Sequence, residues 1–154
     1  MGTEYLPVES SADGLQYHKM FSDIERPVIL AVRNTIKSGL FKVETEEKKK
    51  LILQLHTELC RIFNLPTIPI EFEDGFLGAG RFLIGEKKLI LDKPSLVTFL
   101  HEFCHYKSTE LKQTNSEEVA RGWSISLFYL ATPNICKSSI RKGLIIHQRE
   151  VLVE

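Results

Sequence analysis

The sequence predicts an α+β fold in which several helices pack on a small antiparallel or mixed sheet of about three strands. Apolar residues recur at helical spacing in two N-terminal stretches, 23–39 and 45–63. Alternating apolar residues at 68–72 and a strand–turn–strand pattern at 81–91 predict the sheet. A third helical stretch, at 94–109, follows the last strand and carries most of the chemically reactive residues.

The two N-terminal helices are predicted from their apolar spacing and from the residues at their ends. Ser22 or Asp23 can cap the first helix, which we expect to run to about Gly39. The second begins near Thr45 with two glutamates, which suit the positive end of the helix dipole. Asn64, with a proline two residues later, marks its end.

The later elements are predicted from turn residues and helix breakers. Glycine and glutamate at 85–86 predict the turn of a β-hairpin. Pro94 suits the first turn of the helix that ends near Thr109. A further helix runs from about Asn115 to about Leu130 and is stopped by Pro133. After it we expect one more strand or an extended tail.

Length and composition predict one soluble domain over residues 1–154, with a partly ordered leader at 1–20. Lysine plus arginine equals aspartate plus glutamate, at 20 each, so the overall charge favours neither nucleic acid nor an anionic membrane as a partner. The three cysteines match no disulfide or zinc-knuckle spacing, and we expect reduced thiols. The chain start resembles no signal peptide, so we expect a cytoplasmic protein.

The segment 101–105 carries the pattern His-Glu-x-x-His inside the third helical stretch. Two histidines four residues apart project from one helix face, where neutral imidazoles can hold one Zn²⁺. Glu102 is turned by about 100° from His101, so its carboxylate can reach a zinc-bound water without displacing a ligand. The pattern therefore predicts a zinc site with His101 and His105 as ligands and Glu102 as general base.

Catalytic zinc needs a third protein ligand and one open position. No histidine follows the motif at a short spacing, but Glu117 and Glu118 lie twelve and thirteen residues beyond His105. Either glutamate could instead close a capping box, with Thr114 or Asn115 as the helix cap. We favour Glu117 as the ligand, since a cap at Asn115 would engage Glu118.

The motif followed by Glu117-x-x-Ala120 resembles the gluzincin metallopeptidases, and most closely the minigluzincins and the ImmA/IrrE-like minimal metallopeptidases. The resemblance covers about 68–130 and implies a zincin-like domain that hydrolyses peptide bonds. It also implies that the strand at 80–84 binds an extended peptide substrate through its main chain. The substrate-binding residues implied are Arg81, Phe82 and Leu83.

This sequence departs from the family pattern in two respects. Arg121 stands where many relatives have an aspartate that orients a ligand histidine. No residue is clearly the one that stabilises the oxyanion, and the candidates without ranking are Tyr106, Tyr129, Arg121 and His147.

Several other residues have simpler expected roles. We expect Cys104 and Trp123 to be buried in the core, and His18 and His56 to lie on the surface or on a helix face.

The last residues, 143–154, suggest how the substrate-binding cleft could be blocked. Some minimal gluzincins are held latent by a terminal segment that lies in their own cleft. This strand-like stretch, with His147 and Glu154 as zinc donors, is a candidate for that role.

Three functions are therefore open from the sequence. The leading one is a zinc-dependent metallopeptidase whose partner is a peptide or protein substrate. The alternatives are a zinc-bearing regulatory or protein-binding module, and a helical protein that binds no metal.

Overall fold

The computed structural model describes residues 24–73 and 80–142. Its helices are α1 (Arg26–Lys37), α2 (Thr45–Phe63), α3 (Leu96–Glu110), α4 (Glu117–Ala131) and α5 (Pro133–Arg141). Its strands are β1 (Ile70–Phe72), β2 (Gly80–Leu83) and β3 (Lys88–Leu91). The leader, the tail at 143–154, His18, His147 and Glu154 lie outside the described residues.

The three strands form one mixed sheet in the order β1-β3-β2. Central strand β3 is parallel to β1 and antiparallel to β2, with Arg81 opposite Ile90 in the hairpin. The tight connection of the hairpin places Lys87 in the left-handed region, at φ 52°. Five helices with this small sheet confirm the predicted α+β class and the predicted hairpin. Among residues 24–73 and 80–142, β2 is an edge strand of the sheet.

Both predicted N-terminal helices are present within 24–73, but not every boundary matches. Helix α1 begins at Arg26, with Glu25 as its N-cap, so the expected start at Ser22 or Asp23 is wrong. It ends at Lys37, two residues before the expected Gly39. Helix α2 has the predicted start and end, and its C-cap Asn64 adopts the left-handed conformation that closes a helix.

The prediction that Pro133 only stops a helix is incomplete. Helix α4 does end just before it, at Ala131, but Pro133 is also the first residue of α5. Proline is favoured at this position because the first helical N–H has no partner within the helix. The side chain of Arg33 reaches across from α1 and donates a hydrogen bond of 2.9 Å to the carbonyl of Ala131, which satisfies the end of α4.

One cluster of buried apolar residues extends from α1 to α5. Phe103 of α3 lies at its centre, 5.8 Å from the ring of Phe99 and stacked on Trp123 at 6.3 Å. Trp123 is therefore a core residue, as predicted. The three cysteines are buried free thiols, also as predicted: Cys60, Cys104 and Cys136. None of the helices in the described ranges combines the length and the apolar character needed to cross a membrane.

His56, expected on the surface or on a helix face, lies on α2 but is buried, so the surface alternative is wrong. Its Nε2 atom accepts a hydrogen bond of 3.1 Å from the backbone N–H of Ile68, and its ring packs edge-on against Phe99 and Phe103. Burial lowers the pKa of His56 to about 4. Neutral His56 therefore connects α2 to the segment that leads into β1.

We predict that His56 makes the fold sensitive to acid. Because the folded protein binds this proton less readily than the unfolded chain, stability is complete above about pH 6.5 and falls as the pH is lowered towards 4. The shift corresponds to roughly 3 kcal/mol at the acidic end. His56→Gln keeps an acceptor for Ile68 but has no proton to gain, so it should lose less stability on acidification than the wild type.

Urea unfolding of both proteins between neutral pH and about pH 4.5 tests this, and the difference between them cancels acid effects elsewhere in the chain. Parallel losses of unfolding free energy in the two proteins would contradict the prediction.

Candidate metal centre

Helix α3 carries the two predicted histidine ligands on one face. The hydroxyl of Ser95 caps the helix by accepting a hydrogen bond from the N–H of Thr98. One turn apart, the rings of His101 and His105 lie with their centroids 5.0 Å from each other. Their side chains are only 9% and 14% exposed, so the rest of the fold holds both rings in place.

Helix α4 supplies the third group of the site. Its N-cap is neither of the two residues considered from the sequence. Ser116 is the N-cap, and its hydroxyl accepts a hydrogen bond of 3.1 Å from the N–H of Val119. Both expected capping boxes are therefore wrong, because neither Thr114 nor Asn115 caps the helix. Glu117 is instead the first residue of α4, with its carboxylate directed at α3.

The structure brings Glu117 to both histidines. Its two carboxylate oxygens lie 2.9 Å from Nε2 of His101 and 2.9 Å from Nε2 of His105. One donor atom from each of the three residues lies within 4.8 Å of the others, and Glu118 does not belong to this group. Within 24–73 and 80–142, no other set of histidine, cysteine, aspartate or glutamate residues could hold a metal ion.

The group has the composition and spacing of a zinc site. Two imidazole nitrogens and one carboxylate oxygen are a ligand set found in catalytic zinc sites, which keep a fourth position open. Tetrahedral bonds of about 2.1 Å place neighbouring ligand atoms about 3.4 Å apart, so the 2.9 Å contacts between Glu117 and the two histidines would lengthen by about half an ångström around an ion. The Glu117 side chain is 63% exposed, so the group is closed on the histidine side and reachable from solvent on the glutamate side.

Asn115 sets the tautomer of His105. Its Oδ1 atom lies 2.6 Å from Nδ1 of His105, while its amide nitrogen donates a hydrogen bond of 3.0 Å to the hydroxyl of Thr109. Because the amide nitrogen is engaged by Thr109, the oxygen faces the histidine and accepts its Nδ1–H. With its proton on Nδ1, His105 directs the Nε2 lone pair to the side where Glu117 lies 2.9 Å away, which is where a metal ion would bind.

Sequence reasoning missed Asn115 as a functional residue. It considered this asparagine only as a helix cap, because an asparagine just before a helix usually has that role. The available signal was the following Ser116, which can cap the helix equally well and leaves Asn115 for another partner.

The charges of the three groups depend on one another. The pKa of the Glu117 carboxyl is far below its usual value, because both histidines contact it and stabilise its charged form. Burial lowers the pKa of His105, but Glu117 and Asn115 together outweigh burial and raise it. Glu117 is thus an anion at neutral pH.

Glu102 lies beside the group but does not belong to it. It is only 8% exposed, and burial raises the pKa of its carboxyl against the opposing effect of the two histidines. The backbone N–H of Phe82 donates a hydrogen bond to this carboxylate. The outer edge of β2 therefore faces Glu102.

Gly80 allows β2 to approach α3 this closely. A Cβ atom at this position would lie 2.6 Å from Cγ2 of Thr98 and 3.0 Å from Cγ of Glu102. The first distance is shorter than real Cβ contacts and the second is unusually tight, so only glycine fits without a shift of the strand, the helix or these side chains.

The three residues predicted to bind substrate all lie on β2. Arg81 is exposed and Leu83 is half-buried, while the ring of Phe82 packs edge-on against Tyr106 at 5.6 Å. The side chain of Phe82 thus belongs to the core, and only its backbone faces the centre.

The candidates for oxyanion stabilisation lie in different places. Tyr106 is fully buried, and its hydroxyl donates a hydrogen bond to the carbonyl of Pro66. Burial raises its pKa to about 12, and it faces the core instead of the centre. Arg121 lies one turn beyond Glu117 on the same face of α4, and the ring of Tyr129 lies 5.9 Å from the ammonium of Lys137.

Comparison of the chain with models of protein families, with curated proteins and with solved structures finds no match.

We predict that Asn115→Ala weakens zinc binding by about tenfold or more, because His105 loses the group that fixes its tautomer and ring orientation. The dissociation constant is measured by competition with a chromogenic chelator. Asn34→Ala, at an exposed position of α1, is the matched control and should bind zinc like the wild type. Equal affinities for the wild type and the Asn115 variant would show that this hydrogen bond does not support the site.

Proposed function

We propose that the protein is a zinc-dependent metallopeptidase of the gluzincin type. The observation that carries the proposal is the arrangement of His101, His105 and Glu117 around one point, with buried Glu102 beside them. A structural zinc site closes all four positions with protein ligands, whereas this group has three within the described residues. A three-ligand set with an adjacent carboxylate suits hydrolysis better than a scaffold role.

Each residue has a defined part in the proposed reaction. His101, His105 and Glu117 hold the ion, which when bound lowers the pKa of water and polarises the scissile carbonyl. Glu102 accepts a proton from the attacking water and delivers it to the leaving amine. Burial of Glu102 in a site with little water favours the transfer, since the carboxylate is poorly solvated and readily takes the proton.

The substrate we propose is an extended peptide that binds along β2. This strand is at the edge of the sheet and its outer side faces Glu102, so an added strand would bring a peptide bond next to the centre. Main-chain pairing gives affinity without strong sequence selection. We therefore assign specificity to pockets that flank the strand and not to the strand itself.

A zinc-bearing regulatory module is the second candidate, and one observation favours it. The N–H of Phe82, which an added peptide strand would use, is already bonded to Glu102. If this hydrogen bond is kept, the protein can still hold a metal ion, but the carboxylate of Glu102, its general base, stays bonded to the backbone of Phe82. Direct measurement of hydrolysis separates the two functions.

Two substitutions test the mechanism against loss of the metal. Glu102→Gln should keep one zinc per chain and lose peptide hydrolysis by about a hundredfold or more, because the amide cannot accept the proton. His101→Ala should lose both zinc and hydrolysis. Elemental analysis of the purified proteins and cleavage of a mixed fluorogenic peptide library give the two readings. Full hydrolysis by Glu102→Gln would eliminate this mechanism.

Gly80→Ala tests the close packing of β2 on the centre. The added methyl group should displace Glu102 or the strand, so hydrolysis should fall about tenfold or more while the zinc content is unchanged. Gly85→Ala is the control, since a Cβ atom there meets nothing within 4 Å. Equal rates for the two variants, with both folded, would show that hydrolysis does not depend on the position of β2.

A further inference from the structure

A second recessed surface lies where α2, α3 and α5 meet. This groove has a volume of about 980 Å³, at the upper end of the range for ligand sites. It is lined by the loop before α2, the first turns of α2 and α3, and one side of α5. None of the residues of the metal centre lines it.

The floor of the groove is apolar and partly open to solvent. Leu40, Val97 and Phe128 are buried beneath it, while Phe41 and Ile135 are 43% and 41% exposed at its sides. Exposed aromatic and branched side chains next to a recess mark a surface that gains free energy when a partner covers it.

The rim of the groove is positively charged. Lys48, Lys93 and Lys142 line it from three different elements, and none of them has a carboxylate partner within the described residues. Lys49, also at the rim, pairs with Glu46 on its own helix. No aspartate or glutamate is among the lining residues. A chain with no net charge thus presents a local cationic surface.

The helix ends add to the same potential. Thr45 is the first residue of α2, Ser95 caps α3, and Asn134 lies in the first turn of α5, and all three line the groove. The N-termini of three helices therefore lie beside the lysines. The first turns of α3 and α5 carry no acidic residue, so their positive dipole ends add to the potential, whereas Glu46 and Glu47 offset that of α2. The hydroxyl groups of Ser138 and Ser139 face the same space and can bond a polar main chain.

We infer that this groove binds an acidic, amphipathic peptide segment of a partner protein. Apolar side chains of the segment cover Phe41 and Ile135, and its carboxylates pair with the separate lysines. The spread of the lysines over three elements argues against a lipid with a single anionic head group. The apolar floor argues against nucleic acid, which is bound mainly through phosphate contacts. Binding requires neither zinc nor hydrolysis.

The test uses the full-length protein and a fluorescein-labelled helical peptide of about a dozen residues made of leucine, glutamate and alanine. Fluorescence anisotropy should show saturable binding that weakens as salt is added. A peptide with lysine in place of glutamate should not bind, and one with serine in place of leucine should bind about tenfold more weakly. Parallel titration of Glu102→Gln excludes an effect of probe cleavage.

Matched variants locate the binding surface. The double change Lys48→Gln and Lys93→Gln should weaken binding by about five- to tenfold, whereas Lys37→Gln with Lys50→Gln removes the same charge elsewhere and should not. Ile135→Ser should weaken binding, whereas Leu53→Ser, at a residue 42% exposed on α2, should not.

Three results would overturn the inference. These are no binding of the acidic peptide, equal losses in the groove and control variants, and saturable binding of a fluorescent fatty acid in place of the peptide.

Discussion

Helix α3 is buried on almost every side and still presents two histidines to a group that solvent reaches at Glu117. Eleven of its fifteen residues are buried, among them His101 and Glu102. Strand β2 lies close to it at Gly80, and α4 packs beside it with Glu117 at its start. The same packing that stabilises the core therefore removes water from the reactive groups and fixes where their side chains can go.

Buried polar side chains connect α3 and its surroundings to nearby backbone and side-chain groups. The hydroxyl of Tyr106 bonds the carbonyl of Pro66, and His56 of α2 bonds the N–H of Ile68, so the segment that leads into β1 is held from two directions. Lys107 is buried between the rings of Phe63 and Trp123 and bonds the side chain of Gln113. Each of these polar groups has a partner, which makes its burial tolerable.

Patterns within one element could be predicted from the sequence, and contacts between elements could not. The apolar spacing of α2, the hairpin, and the placing of His101 and His105 on one helix face depend only on local periodicity. His56 has the same local pattern whether it faces solvent or Ile68, so its burial could not be deduced. Helix α5, which was not predicted, shows a related limit, because Pro133 both ends one helix and begins the next.

The third ligand shows where prediction of the site was least secure. Thr114, Asn115 and Ser116 can all cap a helix, and the choice among them decides which glutamate faces α3. The expected boxes at Thr114 and Asn115 are both wrong, yet Glu117 still reaches the histidines because Ser116 begins the helix one residue later. Glu117 was thus preferred to Glu118 on the basis of a helix cap at Asn115 that does not form.

The connection between α3 and α4, residues 111–116, is unlike most surface loops in its tolerance of length changes. Gln113 bonds Lys107 through its side chain, Asn115 bonds His105, and Ser116 caps α4. Ordinary loops accept inserted residues at little cost in free energy. Here one extra or missing residue would change at least one of these three contacts and rotate Glu117 away from the histidines. The length of this short segment therefore fixes the position of Glu117. Descendants of this chain should vary the composition of the segment more readily than its length.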